Sequence, residues 1–475
     1  MLQTTKQTAN FLPHDQQTIV ALCTPRGSGA IALIRLCGKD VFTVTNSLAK
    51  LAGQRALADV PTHTIHYGSI IDTKENVVID HVLFLAMRSP QTFTGQDTIE
   101  ITCHNNPFII DRIISLALQH GARGAERGEF TRRAFLSGKV DLVQAEAINE
   151  LIHAQTEHAL KRSLQMLDGS FSSYVQNIEK QLTLLLGYVE ASFEFLEEEQ
   201  RDLAFDDTVR QRLQELQAHI AEAQKQFINQ KQLREGVRIT LCGNVNVGKS
   251  TLFNVLLGKE RAIVTDIAGT TRDSIEATLY RNGVFLTFID TAGVRTSHDI
   301  IEQKGIEKTS YEVASADVVL LVLDAHEPIH NHLASFIQSL IAEHKEKVII
   351  VINKTETESA LKNSTQELFA GLEKIKVSGI QQLGIQELLQ AIDNRIATIF
   401  AQCNAPFLLN QRHALLLTEI DNGLQFVANS CRNSINYELV AYHLRQLLEN
   451  LAQMTGRGVS ERVLDTVFSE FCIGK

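Results

Sequence analysis

The sequence predicts a multidomain chain of α/β and α class: an α+β domain first, then a helical domain in two parts, with an α/β domain inserted between them. Its 475 residues, 44% of them hydrophobic, are enough for about three cores. Helical periodicity dominates residues 139–235 and returns near residue 444, and short apolar runs ending in glycine-rich or acidic loops lie between. The expected segments are 1–137, 138–235, 236–398 and 399–475.

Short apolar runs alternate with glycine or proline turns in the first segment, for example at residues 32–36 and 81–85. This alternation is typical of a compact α+β domain. Arg35, Glu100 and Lys139 are the charged residues of interest, although composition alone would place each at the surface.

The helical stretch, residues 139–235, contains no proline and only two glycines. Apolar residues recur there every three or four positions, as in Leu182, Leu185 and Val189 and in Val209, Leu213 and Leu216. A helical core and a coiled-coil surface both fit such stripes. Because Leu444, Leu447 and Leu451 repeat the pattern, we expect one helical domain split by an insertion.

A strand-like run at residues 237–241 leads into the segment 243–250, which fits the phosphate-binding pattern G-x-x-x-x-G-K-[ST]. Its glycines let backbone N–H groups point at phosphates, while Lys249 meets the terminal phosphates and Ser250 holds Mg²⁺. A chance glycine-rich turn would lack the strand before it and the helix after it. The expected nucleotide contacts are Asn246, Val247, Gly248, Lys249, Ser250 and Thr251.

A second loop, Asp290-Thr291-Ala292-Gly293, follows the apolar run 284–289. The carboxyl ends of strands are where α/β sheets bind ligands. We expect Asp290 to lie by Mg²⁺ and Gly293 to sense the γ-phosphate.

A third loop predicts a preference for guanine. The apolar run 348–352 ends in Asn353-Lys354-Thr355-Glu356, which resembles the pattern N-K-x-D. Glu356 carries the charge of the usual aspartate on a longer arm. Residues 378–379 stand where a second base-contacting loop would be.

The polar segment before Asp290 has the hydroxyls and the glycine of a mobile switch loop. Thr271 is its candidate second Mg²⁺ ligand. The expected contacts are Thr265, Asp266, Ile267, Ala268, Gly269, Thr270 and Thr271.

Val294 follows Gly293, where Ras-type enzymes have a water-orienting glutamine. Hydrolysis therefore needs another group. Asn246 and Glu302 are candidates, although spacing alone favours a solvated helix charge for Glu302.

The composition restricts the cellular compartment and the binding partners that can be expected. No run of ~20 apolar residues predicts a membrane span, and residues 1–17 lack a signal-peptide core. Seven cysteines without a C-x-x-C pair favour a reducing compartment, so a cytoplasmic protein is expected. The net charge of −10 leaves only local or shared contacts with nucleic acid.

Together with further motifs, these residues resemble the MnmE (TrmE) family of tRNA modification GTPases over nearly the whole chain. The motifs lie at residues 24–27, 93–97, 127–131, 141–148, 265–273 and 471–475. The terminal Phe-Cys-Ile-Gly-Lys is the most specific of them.

The resemblance implies a folate-binding N-terminal domain, a discontinuous helical domain and an inserted Ras-like P-loop GTPase domain. It implies a homodimer through the N-terminal and GTPase domains, and a heterotetramer with the flavin-containing partner MnmG (GidA). The implied reaction adds a carboxymethylaminomethyl or aminomethyl group to carbon 5 of the wobble uridine in certain tRNAs. The implied one-carbon donor is 5-formyl- or methylene-tetrahydrofolate.

By the same resemblance, Arg35, Glu100, Lys139 and Lys475 contact the folate. Cys472 lies near the one-carbon chemistry, or is a small apolar tail residue. Glu302 orients the attacking water. The implied K⁺ ligands are Asn246, Thr265, Ile267 and Thr270.

Two other classes share the GTPase motifs. A ribosome-assembly GTPase would usually add a basic RNA-binding appendage, which this acidic chain lacks. A regulatory switch would bind GTP tightly and cycle through exchange factors, so intrinsic hydrolysis stimulated by K⁺ would separate it from a modification GTPase.

We also expect the tail, residues 472–475, to fold back on the N-terminal domain of the same chain or its dimer mate.

Overall fold

The computed structural model describes residues 13–27, 29–53, 55–195, 203–227, 231–258, 275–290, 311–327, 331–356, 369, 371–401, 407–431 and 436–475. The chain divides into two compact units. One comprises Met1–Asn149, Leu164–Ala218 and Leu415–Lys475, and the other Glu150–Ser163 and His219–Ala414. The finer boundaries at residues 137, 235 and 398 remain predictions.

The strands are β1 Ile19–Leu22, β2 Ile31–Cys37, β3 Ala49–Leu51, β4 Thr64–Asp72, β5 Val77–Met87, β6 Thr98–His104, β7 Arg123–Gly124, β8 Val237–Cys242, β9 Ile275–Arg281, β10 Val284–Asp290, β11 Val318–Asp324, β12 Val348–Asn353 and β13 Lys374–Lys376. The helices are α1 Val41–Asn46, α2 Pro107–Gln119, α3 Glu129–Leu136, α4 Leu142–His153, α5 Glu157–Leu167, α6 Ser170–Phe195, α7 Leu203–Phe227, α8 Lys231–Glu235, α9 Lys249–Gly258, α10 Asn331–His344, α11 Ile385–Ala401, α12 Gln411–Ser430, α13 Tyr437–Met454 and α14 Glu461–Ser469. None of the helices within the described ranges combines the length and the apolarity that a membrane span requires.

The first unit contains a seven-stranded sheet in the order β3-β4-β5-β6-β2-β1-β7, antiparallel except where β1 meets β7. Its two faces differ because successive strand residues point to opposite sides. On one face Ile34, Phe84 and Ile101 are buried in a core with α1 and α2. On the other face Ile65 and Tyr67 are 65% and 57% exposed. An apolar surface therefore lies open on one side of this sheet.

The helices of the first unit bury the stripes that the sequence predicts. Leu182 and Leu185 on α6 and Leu444 on α13 are fully buried, and α6 packs against α13. These stripes therefore form a helical core rather than a coiled-coil surface, because the apolar faces of α6 and α13 cover each other.

The second unit contains a six-stranded sheet in the order β13-β12-β11-β8-β10-β9. All neighbours are parallel except β9 and β10. Apolar clusters cover both faces, with α9 and α11 contributing to one and α10 to the other. Strands buried on both faces explain the continuous apolar runs in the sequence. The predicted α/β fold is confirmed. The carboxyl ends of its parallel strands place the residues of the candidate site at one edge of the sheet.

Candidate nucleotide-binding site

The phosphate loop, residues 243–248, joins the end of β8 to the start of α9. Its backbone takes left-handed conformations at Gly243, Asn246 and Gly248, with φ of +146°, +63° and +93°. A side chain at Gly243 would overlap the Val322 carbonyl oxygen, and one at Gly248 would overlap the Asn353 amide nitrogen. The two glycines are therefore required both by the turn and by close packing.

Lys249 lies inside this loop and is 6% exposed. Its Nζ donates hydrogen bonds to the carbonyl oxygens of Gly243 at 3.0 Å and Asn244 at 2.6 Å. Burial lowers the pKa of Lys249. The loop thus holds an ammonium group at the N-terminus of α9, where the helix dipole also favours an anion.

Ser250, in the first turn of α9, meets Asp290 at the end of β10. The Ser250 hydroxyl donates to Asp290 Oδ2 at 2.7 Å, and Asp290 is almost fully buried. A hydroxyl and a carboxylate are hard oxygen donors of the kind that Mg²⁺ prefers. The residues present therefore fit the predicted Mg²⁺ site.

Asn353, at the end of β12, connects three loops. Its Nδ2 donates to the Val247 carbonyl oxygen at 2.8 Å, and its Oδ1 accepts from the Gly379 N–H at 3.0 Å. The side chain is buried, so these bonds are shielded from water. Asn353 thereby ties the base-recognition loops to the phosphate loop.

Glu356 and Ser378 form the base-recognition edge. The buried Ser378 hydroxyl donates to Glu356 Oε1 and accepts from the Gln381 N–H at 3.0 Å. The hydrogen bond from Ser378 lowers the pKa of Glu356. The longer acidic side chain is therefore held in place as a carboxylate, which can accept the N–H groups of guanine.

Asp324 is a site residue that the sequence reasoning missed. Lys354 Nζ contacts Asp324 Oδ2 at 2.6 Å, and His326 Nε2 lies 2.9 Å from the Lys354 carbonyl oxygen. Burial would raise the pKa of Asp324, but hydrogen bonds from Lys354 and the His326 N–H outweigh it and lower the pKa. The available signal was an aspartate at the end of the apolar run 318–323, which places it at the same sheet edge as Asp290.

Several predicted contacts lie outside the described residues. They are Thr265, Asp266, Ile267, Ala268, Gly269, Thr270, Thr271, Thr291, Ala292, Gly293 and Glu302. Their roles stay predictions.

A second cluster lies on the N-terminal sheet, in the other unit. Arg35 on β2 is directly opposite Glu100 on β6, and Arg35 Nε donates to Glu100 Oε1 at 2.8 Å. Both side chains are partly exposed on the sheet face that also carries Tyr67. The exposed Lys139 lies beside Gly95 and outside this pair.

The tail, residues 472–475, lies against the N-terminal region of its own chain, as expected. The Gly128 N–H donates to the Cys472 carbonyl oxygen at 3.4 Å, and the Phe130 N–H to the Lys475 carbonyl oxygen at 3.1 Å. Cys23 Sγ donates to the Gly474 carbonyl oxygen at 3.1 Å, and burial raises the pKa of that thiol. Burial lowers the pKa of Lys475. The Cys472 side chain remains exposed.

A doubly wound sheet that presents a phosphate loop, a buried aspartate and an Asn-Lys-x-Glu loop at one edge is the architecture of a P-loop GTPase. Residues 142–472 match the family described as the MnmE helical domain, and residues 18–139 match the GTP-binding protein TrmE N-terminus. Relatives that match this chain over nearly their whole length belong to the same family. The chain belongs to the MnmE family of tRNA modification GTPases and is a GTP hydrolase.

The relatives are each described as tRNA modification GTPase MnmE. The Enterococcus faecalis protein is 37% identical over 96% of this chain and 98% of its own length. The Geobacillus kaustophilus protein is 36% identical over 96% and 99%, and a Streptococcus pneumoniae protein 38% identical over 98% and 100%. Among solved structures, the G domain of the T. maritima FeoB iron transporter covers 34% of this chain and 98% of its own, with 26% identity and a TM-score of 0.26. That score is too low to support a functional inference.

Proposed function

We propose that this chain is a K⁺-dependent GTPase that acts with MnmG (GidA), as a heterotetramer, on carbon 5 of the wobble uridine in certain tRNAs. The group added is carboxymethylaminomethyl or aminomethyl, and its one-carbon unit comes from 5-formyl- or methylene-tetrahydrofolate. A cytoplasmic setting suits this activity, since its tRNA substrate is there.

The observation that carries the folate proposal is the position of the tail beside the first strand of the N-terminal sheet. Gly474 packs against Leu22 and Cys23 at the end of β1, and its φ there is +93°. This contact keeps the ammonium of Lys475 and the exposed thiol of Cys472 near the N-terminal domain. Glu100 can accept from pterin N–H donors, and cations such as Arg35 and Lys139 suit a glutamate tail. The donor set therefore fits a folate.

The residues of the nucleotide site fit GTP hydrolysis. Lys249 supplies positive charge to the terminal phosphates, and Ser250 and Asp290 hold Mg²⁺, joined by Thr271 while the γ-phosphate is present. Asn353, Lys354 and Glu356 recognise guanine. Glu302 orients the attacking water in place of the glutamine that Val294 replaces.

The phosphate loop also fits a monovalent cation. Asn246 is exposed at the rim of the loop, and its side-chain amide offers an oxygen donor. Thr265, Ile267 and Thr270 complete the proposed K⁺ site. When bound, K⁺ supplies fixed positive charge beside the phosphates, where negative charge develops during hydrolysis.

The open face of the N-terminal sheet supports a homodimer. Ile65 pairs with Leu85 and Tyr67 with Leu83, so their apolar side chains form one patch across β4 and β5. A patch of this kind on an exposed sheet face marks an interaction surface. We assign it to the partner copy, with the GTPase domains forming the second contact.

Mass spectrometry of wobble uridines from cells that lack this chain tests the proposal. The modified nucleoside should disappear and return when the intact chain is supplied. An Arg35→Ala chain should fail to restore it while hydrolysing GTP normally. Unchanged wobble uridines in the deletion strain would exclude the proposed function.

A further inference from the structure

Residues 155–157, which lead into α5 at Glu157, form a short antiparallel ladder with the start of β10. The Phe285 N–H donates to the Gln155 carbonyl oxygen at 3.0 Å, and the Glu157 N–H donates to the Gly283 carbonyl oxygen at 2.7 Å. Thr156 pairs with Val284 between them. The pairing of β10 with β8 begins only at Leu286. Residues 155–157 therefore pair with residues 283–285, just before the position at which β10 begins to pair with β8.

Side chains strengthen this ladder. The Tyr280 hydroxyl donates to Glu157 Oε1 at 2.6 Å. Thr156 is buried, and its hydroxyl donates to the Leu233 carbonyl oxygen at 2.6 Å while accepting from the Ala159 N–H at 2.9 Å. The last bond satisfies an otherwise unpaired donor in the first turn of α5. The start of α5 is thus fastened to the β9–β10 turn by both backbone and side-chain bonds.

The β9–β10 hairpin is itself a continuous ladder. Its register runs from Val284 opposite Arg281 to Asp290 opposite Ile275 without a bulge. Arg281 is held by a bidentate pair with Asp393, at 2.8 and 2.7 Å. At the far end, the Asp290 carboxylate accepts the Ser250 hydroxyl beside the phosphate loop. One rigid element therefore joins the nucleotide site to the start of α5.

We propose that residues 155–157 couple α5 to the nucleotide site. Exchange of GDP for GTP changes the charge next to Asp290, and any resulting shift of the hairpin reaches α5 through this ladder. A shift that left α5 behind would break the two backbone hydrogen bonds of the ladder and leave their donors and acceptors unpaired. A rigid, contiguous element whose position a ligand biases is a physical basis for coupling. The coupling depends on GTP binding and requires neither folate nor tRNA, so its failure is distinguishable from failure of the proposed function.

Amide hydrogen exchange of α5 in the full-length protein, with GDP and with a non-hydrolysable GTP analogue, tests this coupling. Glu157→Pro removes both the N–H bond to Gly283 and the carboxylate bond to Tyr280. Proline is tolerated at the first position of a helix, so α5 itself should still form. Glu157→Gln is the matched control, since it keeps the N–H donor and an oxygen acceptor for Tyr280.

We expect exchange in α5 to differ about fivefold between the two nucleotides in the unaltered chain and in Glu157→Gln, and less than about twofold in Glu157→Pro. The proposal is overturned if the unaltered chain shows no difference, or if Glu157→Pro keeps the full difference. Should Glu157→Pro fail to bind nucleotide, Gly283→Ala provides the same test. Its Cβ would lie 3.0 Å from the Glu157 carboxyl carbon, at a φ of +82°.

Discussion

Asn353 and Val247 are joined by a 2.8 Å hydrogen bond from the Asn353 side chain to the Val247 carbonyl oxygen. Asn353 is the last residue of β12 and belongs to the base-recognition motif, whereas Val247 lies in the phosphate loop between β8 and α9. Affinity for the base and geometry at the phosphates therefore depend on the same buried side chain.

Asn353→Ala should lower GTP affinity by about tenfold or more, because it leaves the Val247 carbonyl and the Gly379 N–H without their partner. Calorimetric titration with GTP measures this loss. Asn254→Ala, on the exposed side of α9, serves as the control and should bind GTP normally.

Ser378→Ala should weaken the preference for GTP over ATP by about tenfold, because Glu356 loses the hydrogen bond that holds its longer arm. The unaltered chain should prefer GTP by orders of magnitude. Competition of each unlabelled nucleotide against labelled GTP measures both quantities. Equal competition by ATP in the unaltered chain would contradict guanine recognition by Glu356.

GTP hydrolysis should be far faster in K⁺ than in Na⁺, a smaller ion that fits the proposed oxygen cage poorly. Asn246→Ala should remove this difference and leave GTP binding nearly intact. Steady-state rates at matched ionic strength check the prediction. Similar rates in the two salts would exclude a K⁺ role.

Glu302→Ala should lower kcat by about a hundredfold with little change in GTP affinity, since a water-orienting group acts mainly in the transition state. Single-turnover hydrolysis and nucleotide binding separate the two effects. A variant that loses affinity but keeps kcat would show that Glu302 has a structural or solvated role.

Deletion of residues 472–475 should abolish tRNA modification and leave GTP hydrolysis largely unchanged, because the hydrogen bonds described for the tail go to the N-terminal region. Gly474→Ala should reduce modification as well, since its Cβ would crowd the Leu22 carbonyl oxygen. Nucleoside mass spectrometry and a phosphate-release assay provide the two readouts. Normal modification by the truncated chain would exclude a folate site that includes the tail.

Local features of this protein could be predicted from its sequence. The phosphate loop lies within eight consecutive residues, and the run before Asn353 is apolar because its strand is buried on both faces. The helical stripes likewise follow from a period that neighbouring residues set. Such features depend on interactions between residues close in the chain.

Only the tertiary structure decided which distant residues meet. Arg35 faces Glu100 because of strand register, Asp324 reaches Lys354 because β11 and β12 are neighbours, and Thr156 pairs with Val284, which lies 128 positions later in the chain. No period or motif marks such pairs, since each depends on how whole elements pack. The sequence by itself therefore determined the chemical groups and the class of the protein, and packing of the sheets and helices determined which of those groups act together.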